Sequence, residues 1–348
     1  MRDPWLDNIK FVLVTVVVVG HTLPLVPTGT DFGAQLYDFI YVWHIPAFVL
    51  VTGYLSRSFT WSRRHLTSLA TGLLLPYLVF DSVMRVVITH TADYSPPGPM
   101  LINPGWPMWY LVATLLWRLV TPILQLHWVA VPLSVLASLW FGTIDAPWTD
   151  WFDLSRTVGF LPFFVVGLWL RPVDLDRLRA PRTAWFGVAA LAVVWWLAGG
   201  FDDWMATRWL WYAIPYPDLT AAGMPVTDLE GAWIRLRLIA LGLVASFAVI
   251  CLVPRGRHWF SALGTASLVV YLFHGFVIRA VGMTDLATWA HGQGNWLTGM
   301  AVLCAVGVAI VLAAPPVASR LAWLIDPISE QRRRSARRAA ERSAPTSA

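Results

Sequence analysis

The sequence is short of charge, nearly empty of lysine and almost without cysteine. Only 13% of its 348 residues are charged, against 57% hydrophobic, where a soluble domain carries about 25% charged residues. That excludes a water-soluble globular body, and a mean hydropathy of +0.60 agrees. Cys251 and Cys304 are the two cysteines, and both fall in apolar stretches. They read as small buried hydrophobes and exclude a disulfide framework or a cysteine metal site. Of 25 Lys+Arg, Lys10 is the one lysine. The net charge of +5 would suggest nucleic acid in a soluble protein, but much of it sits in "RRRSARRAAERSAPTSA" from Arg332 to Ala348. That stretch reads as a disordered cytoplasmic tail near anionic lipid, so no nucleic-acid partner is expected.

What the chain has instead is long apolar runs along its whole length. They predict an all-α, polytopic integral membrane bundle. Ten spans can be drawn, at about 8–27, 35–55, 67–89, 107–125, 128–143, 157–171, 183–199, 231–253, 262–282 and 296–316. Residues 1–9 are too short and too acidic for a cleavable signal peptide, so the first span is expected to be retained. Loops carrying Arg57, Arg63 and Arg64, then Arg171, Arg177, Arg179 and Arg182, then Arg255 and Arg257 alternate with loops poor in arginine and rich in aspartate. Positive residues mark the cytoplasmic side, which puts both termini inside, as an even span count requires. Many of the 22 tryptophans lie beside span ends, as in interfacial belts. No repeat or soluble module is visible. The expected organisation is one membrane domain over 1–318 and a basic tail over 319–348.

The chemistry begins in the first span, "LDNIKFVLVTVVVVGHT", which carries Asp7, Lys10 and His21. Lys10 and His21 are close to three helical turns apart and share a face, with His21 about 16 Å deeper. A lysine near a helix end snorkels to water, whereas an imidazole at depth needs a partner. His44 in the second span and His274 in the ninth fall at the same expected depth, about 18–20 Å from the cytoplasmic face. Asp81 and Arg237 lie near that level, Arg85 and Arg279 further out, and Arg118 nearer the cytoplasm. Each alone is accounted for by pairing between helices. Together they ask for a water-filled pocket. A phosphate-bearing cytosolic donor would meet Lys10, Arg57, Arg63, Arg64 and Arg118 at its mouth, and a neutral His21 above it is a competent general base. The long, narrow shape suits a donor such as coenzyme A.

These segments resemble the membrane-bound acyltransferase family 3, in its fucose 4-O-acetylase-like, sugar O-acetyltransferase branch. "RDPWLDNIKFVLVTVVVVGH" is similar to its basic-x10-His signature, with Lys10 and His21 in the two places. "YVWHIPAFVLVTGYLSRSF", "SRRHLTSLATGLLLPYLVF", "PMWYLVATLLWRL", "LPFFVVGLWLR" and "LGTASLVVYLFHGFVI" are similar to later signature spans in the same order. The likeness covers about residues 3–315. Many members have Arg where Lys10 stands, and lysine lacks the bidentate contacts of Arg. The resemblance implies transfer of an acetyl group from acetyl-CoA to a hydroxyl of a sugar, glycan or lipid-linked acceptor at a bacterial inner membrane. It implies His21 as the essential catalytic residue and Lys10 as a donor-binding one. His44, His274 and Asp81 are added from their expected depth. Either His21 deprotonates the acceptor hydroxyl, or it is itself acylated and passes the group on.

Two other readings stand beside this one. A transporter or flippase would also use buried His, Asp and Arg, though no inverted repeat is visible. A zinc site built from His21, His44 and His274 is possible by ligand type, but no carboxylate or thiolate is suitably spaced, and no metal is expected. The acceptor itself and the oligomeric state are not written in the sequence. The aromatic stretch from Phe201 to Pro217 suits either sugar stacking or an interfacial belt.

Overall fold

A computed structural model describes residues 3–27, 30–91, 98–219 and 226–325. Among them all regular structure is helical, with no strand. The helices are α1 (Pro4–Thr22), α2 (Asp31–Tyr41), α3 (His44–Ser56), α4 (Arg63–Leu69), α5 (Leu75–Thr91), α6 (Trp109–Leu124), α7 (Ala130–Phe141), α8 (Leu154–Gly159) and α9 (Leu161–Trp169). They continue as α10 (Pro172–Leu178), α11 (Thr183–Ala198), α12 (Tyr216–Leu219), α13 (Asp228–Leu252), α14 (Ser267–Gly282), α15 (Leu286–Ala290), α16 (Asn295–Ala313) and α17 (Pro315–Ile325).

Local signals set several boundaries. Asp3 accepts from the Trp5 amide at 3.0 Å, and Pro4 opens α1 where its missing N–H costs nothing. Thr227 and Glu230 form a reciprocal capping box at the start of α13. Between α4 and α5, residues Ala70–Leu74 form a π-helical stretch inside one continuous 29-residue span. Such insertions are frequent at functional sites, and Gly72 of this one lines a cavity described below.

Among the described residues, six helices are long and apolar enough to cross a bilayer, and the candidate spans rise to eight if each bent pair counts as one. The bent pairs are Pro147–Gly159 with Leu161–Trp169, turning by 47°, and Pro172–Leu178 with Thr183–Ala198, turning by 77°. The ten segments read from the sequence are reached only when two shorter apolar helices are added to these eight. The fourth and fifth segments are helices of 16 and 12 residues, about 24 and 18 Å long, against a hydrocarbon core of about 30 Å. Apolar composition found them, but composition does not report length. Helix α17 runs through residue 318, and the tail from 326 onward lies outside the described residues.

The bundle has two recognisable ends. At the Lys10 end, Trp5 Nε1 donates to the Val253 carbonyl at 3.2 Å, and Asn8 Nδ2 donates to the carbonyls of Pro254 (2.7 Å) and Gly256 (2.9 Å). Asp3 pairs with Arg179, whose guanidinium lies over the Trp5 ring. These contacts tie the start of α1 to the turn after α13. At the opposite end, residues 98–107 fold back over α5 and α14. Helices α3 and α9 cross backbone to backbone at Gly53 and Gly167, a use of small residues typical of membrane interfaces. Helix α1 is enclosed by α3, α14 and α16, which fixes where His21 points.

Candidate active site

Three helices bring the three deep histidines together. His44 and His274 are fully buried. The ring centroid of His21 lies 5.2 Å from that of His274 and 6.2 Å from that of His44. Their hydrogen bonds fix the tautomers. His274 Nδ1 lies 2.6 Å from the Tyr271 carbonyl and 3.2 Å from that of Val270. Carbonyls only accept, so this nitrogen carries the hydrogen, and Nε2 of the neutral ring is an acceptor. His21 Nδ1 stands 3.0 Å from that Nε2 and donates to it. The lone pair of His21 is thereby placed on Nε2. His44 Nδ1 donates to the Ile40 carbonyl at 2.9 Å, and its Nε2 has no partner among the described residues. Gly20, beside His21, keeps this approach open: a Cβ there would meet the Tyr41 ring at 3.3 Å and His44 Nε2 at 3.6 Å.

Trp106 packs edge-on against His21, with ring centroids 4.9 Å apart, and Tyr41 lies 6.4 Å away. Sequence reasoning passed over both. Trp106 sits in "NPGWPMW", where an interfacial belt explains a tryptophan equally well. Its position depends on a loop path that periodicity does not reveal. Helix α5 dictates that path. Tyr77, Asp81 and Arg85, spaced by four on one face, all bind the backbone of residues 98–107. Tyr77 donates to the Leu101 carbonyl at 2.8 Å, and Asp81 Oδ1 accepts from the Gly105 amide at 2.7 Å. Arg85 donates to the carbonyls of Gly98 (3.1 Å) and Asn103 (2.8 Å). Tyr271 donates to the Pro107 carbonyl.

Asp81 was grouped with the histidines by depth. The structure corrects that placement: it holds the loop one residue before Trp106 rather than touching the histidine cluster. Asp81→Ala should therefore release Trp106 and lower turnover about 10²-fold, the scale of a misplacement of about 1 Å. Steady-state kinetics with a parallel donor-binding measurement would check this, and unchanged turnover would contradict it.

Cavities approach the histidines from both ends. One of about 260 Å³ opens toward the Lys10 end, lined by Thr52, Ser68, Gly72, Tyr110, Arg118 and Tyr271 among others. Arg118 Nε donates to Ser56 Oγ at 3.2 Å. Thr52 and Tyr110 share a 2.5 Å hydroxyl contact. The rings of Tyr110 and Tyr271 are 5.6 Å apart, and those of Tyr271 and His274 are 5.9 Å apart, so polar aromatic side chains lead from Arg118 to the histidines. At the loop end lie an aromatic cavity of about 270 Å³, with Tyr37, Tyr41, Trp109 and Trp211, and a polar one of about 600 Å³. Trp106 and Arg156 line both. Leu210 and Trp211 show that part of the 201–217 stretch reaches the aromatic cavity, while Phe201, Trp209 and Tyr216 are buried in packing.

The other cations expected at the donor mouth separate. Lys10 forms an ion pair of 2.5 Å with Asp7, as their spacing suggests, and is not on the lining of the Lys10-end cavity. Arg57 is spent on its own helix end: Nε donates to the Tyr54 carbonyl at 2.8 Å, Nη1 to the Leu170 carbonyl at 3.1 Å, and the guanidinium lies over the Tyr54 ring. Arg63 and Arg64 are exposed on α4. On α13 the buried arginine is Arg235, bound to the Ser138 carbonyl at 3.0 Å, whereas Arg237 is exposed. Two residues of helix phase, about 200°, separate the two faces. Among the described residues, no three His, Cys, Asp or Glu side chains are grouped to hold a metal ion.

Comparison with known proteins supplies the class. A family model described as an acyltransferase domain matches residues 3–315. The nodulation protein NolL of Sinorhizobium fredii is 24% identical over 345 residues, covering 93% of this chain and 89% of that protein. NolL of Mesorhizobium japonicum is 24% identical over 353 residues, covering 91% and 87%. No solved structure matches the chain. With the family model spanning nearly its whole length, the chain belongs to the membrane acyltransferase family 3 and is an O-acyltransferase.

Proposed function

We propose that the protein moves an acetyl group from cytosolic acetyl-CoA to a hydroxyl of a sugar, glycan or lipid-linked acceptor, with His21 as the general base. The observation that carries this reading is the His21–His274 pair lying between a cavity at the Lys10 end and cavities at the loop end. The Lys10 end is taken as cytoplasmic, with both termini on that side of the inner membrane, because the arginine-rich loops gather there. The coenzyme A phosphates then lie near Arg118, with Lys10 further out at the mouth, and the thioester reaches up past Tyr110 and Tyr271.

The acceptor enters from the loop end, where aromatic side chains suit the apolar faces of a sugar. Its hydroxyl gives a proton to His21 Nε2 while its oxygen bonds to the thioester carbonyl carbon. The C–S bond breaks, and the departing sulfur takes the proton from Nε2 to leave as the coenzyme A thiol. Separate cavities on the two sides of the histidine pair would hold both substrates together, which favours direct transfer over an acyl-histidine. A flippase would also need a path past His21, but it would not need the Nδ1 hydrogen of His21 held in place.

Donor binding tests this arrangement without a known acceptor. Arg118→Ala is expected to weaken acetyl-CoA binding at least about tenfold, the scale of one charge-assisted contact, and His21→Ala to leave it within about twofold. Equal binding in wild type and Arg118→Ala would remove the Lys10-end cavity from the donor's path.

A further inference from the structure

Among the described residues, the polar cavity at the loop end holds one cation without a counterpart. Its charged lining consists of Arg85, Asp150, Asp153, Arg156 and Arg279. Asp153 is paired with Arg156. Arg85 is committed to the carbonyls of Gly98 and Asn103, with the Asp81 carboxylate one turn away on its own helix. Asp150 is exposed. Arg279, half-buried on α14, makes no hydrogen bond or ion pair to any described residue, and its Nε is buried without a partner. Its guanidinium borders the cavity with no carboxylate of the described residues to neutralise it, and an arginine left so beside a cavity in a membrane bundle is a candidate for binding. Its place matters as much as its isolation. Arg279 is five residues beyond His274 on the same helix, about 7.5 Å along the axis. Trp106 lines the same cavity and touches His21.

We propose that Arg279 receives an oxyanion carried by the carbohydrate acceptor, a carboxylate or phosphate about one sugar unit from the hydroxyl that reacts at His21. This rests on the loop-end cavity being the acceptor's. The ring stacks on Trp106, and the guanidinium takes the anion in a forked contact. Arg279 thereby selects acidic acceptors over neutral ones. A lipid headgroup offers the same anion from a different source, but it would not sit on the molecule whose hydroxyl must reach His21.

The test uses the full chain in phosphatidylcholine nanodiscs and equilibrium dialysis of two radiolabelled probes, cellotriose and cellotriose oxidised to a uronate at its terminal C6. Wild type should bind the uronate at least about tenfold tighter than the neutral sugar. Arg279→Gln should erase that ratio, and Arg279→Lys should keep part of it. Acetyl-CoA binding by each variant reports that the fold is intact. A wild type without preference, or a preference kept in Arg279→Gln, overturns the role of Arg279 while the neutral sugar still binds. A preference that disappears when phosphatidylglycerol replaces phosphatidylcholine assigns the site to a headgroup and overturns the carbohydrate assignment. Failure to bind either sugar overturns the acceptor reading of the cavity along with it.

Discussion

His21→Ala is expected to lower transfer about 10³-fold, within the span a general base contributes, while folded protein and donor binding persist. The size follows from where the lone pair sits. Two backbone carbonyls hold the hydrogen on His274 Nδ1, His274 Nε2 accepts from His21 Nδ1, and the lone pair of His21 stays on Nε2, where the proposed reaction needs a base. His274 acts through His21, so its variants grade the same mechanism. His274→Ala leaves His21 free to place its hydrogen on either nitrogen and should cost about 10²-fold. His274→Gln can still accept from His21 Nδ1 through its amide oxygen and should keep more activity than His274→Ala. Equal losses in the two variants would mean that His274 only fills space, and a His21→Ala enzyme retaining more than about a tenth of wild-type turnover would exclude His21 as the base.

The largest effect on folding is expected at the crossing of α3 and α9. A Cβ on Gly53 would overlap the Phe164 carbonyl oxygen, and one on Gly167 the Leu50 carbonyl oxygen. Both obstacles are backbone, so no rotamer change relieves them. In a bilayer, helices associate through packing rather than through a hydrophobic difference, and prying this pair apart forfeits the contact itself. It would also displace the start of α3, where His44 stands. Gly53→Val should cost about 3 kcal/mol, the upper end for overpacking, read as a lower melting temperature and less monodisperse protein in detergent. Gly299→Val is the matched control, because nothing lies within 4 Å of a Cβ there. Equal behaviour of the two variants would mean that α3 and α9 do not need their close approach.

What was legible in the sequence was local or periodic. The Asp7–Lys10 pair follows from one helical turn, and the shared depth of His21, His44 and His274 follows from rise per residue and the direction of each span. Depth alone does not give neighbours, and the same argument put Asp81 with the histidines when it serves a loop. The missed residues are long-range. Trp106 reaches His21 through a segment whose course is set by hydrogen bonds from Tyr77, Asp81 and Arg85. On α13, Arg237 was named and the buried Arg235 passed over, because a mostly apolar helix gives little phase to read. Span length was unread for a related reason: apolar composition is shared by long helices and by the shorter α6 and α7.

The most direct measurement places donor and acceptor on opposite sides of a sealed membrane. Right-side-out vesicles holding the protein would be loaded with radiolabelled acetyl-CoA, and a membrane-impermeant oligosaccharide acceptor supplied outside. The expected result is acetylated oligosaccharide in the external medium with wild type and none with His21→Ala, because the proposed path runs from a cavity at the Lys10 end, past the imidazole, to cavities at the loop end. Acetylation that occurs only when donor and acceptor share a compartment would contradict transfer through His21 across the bundle.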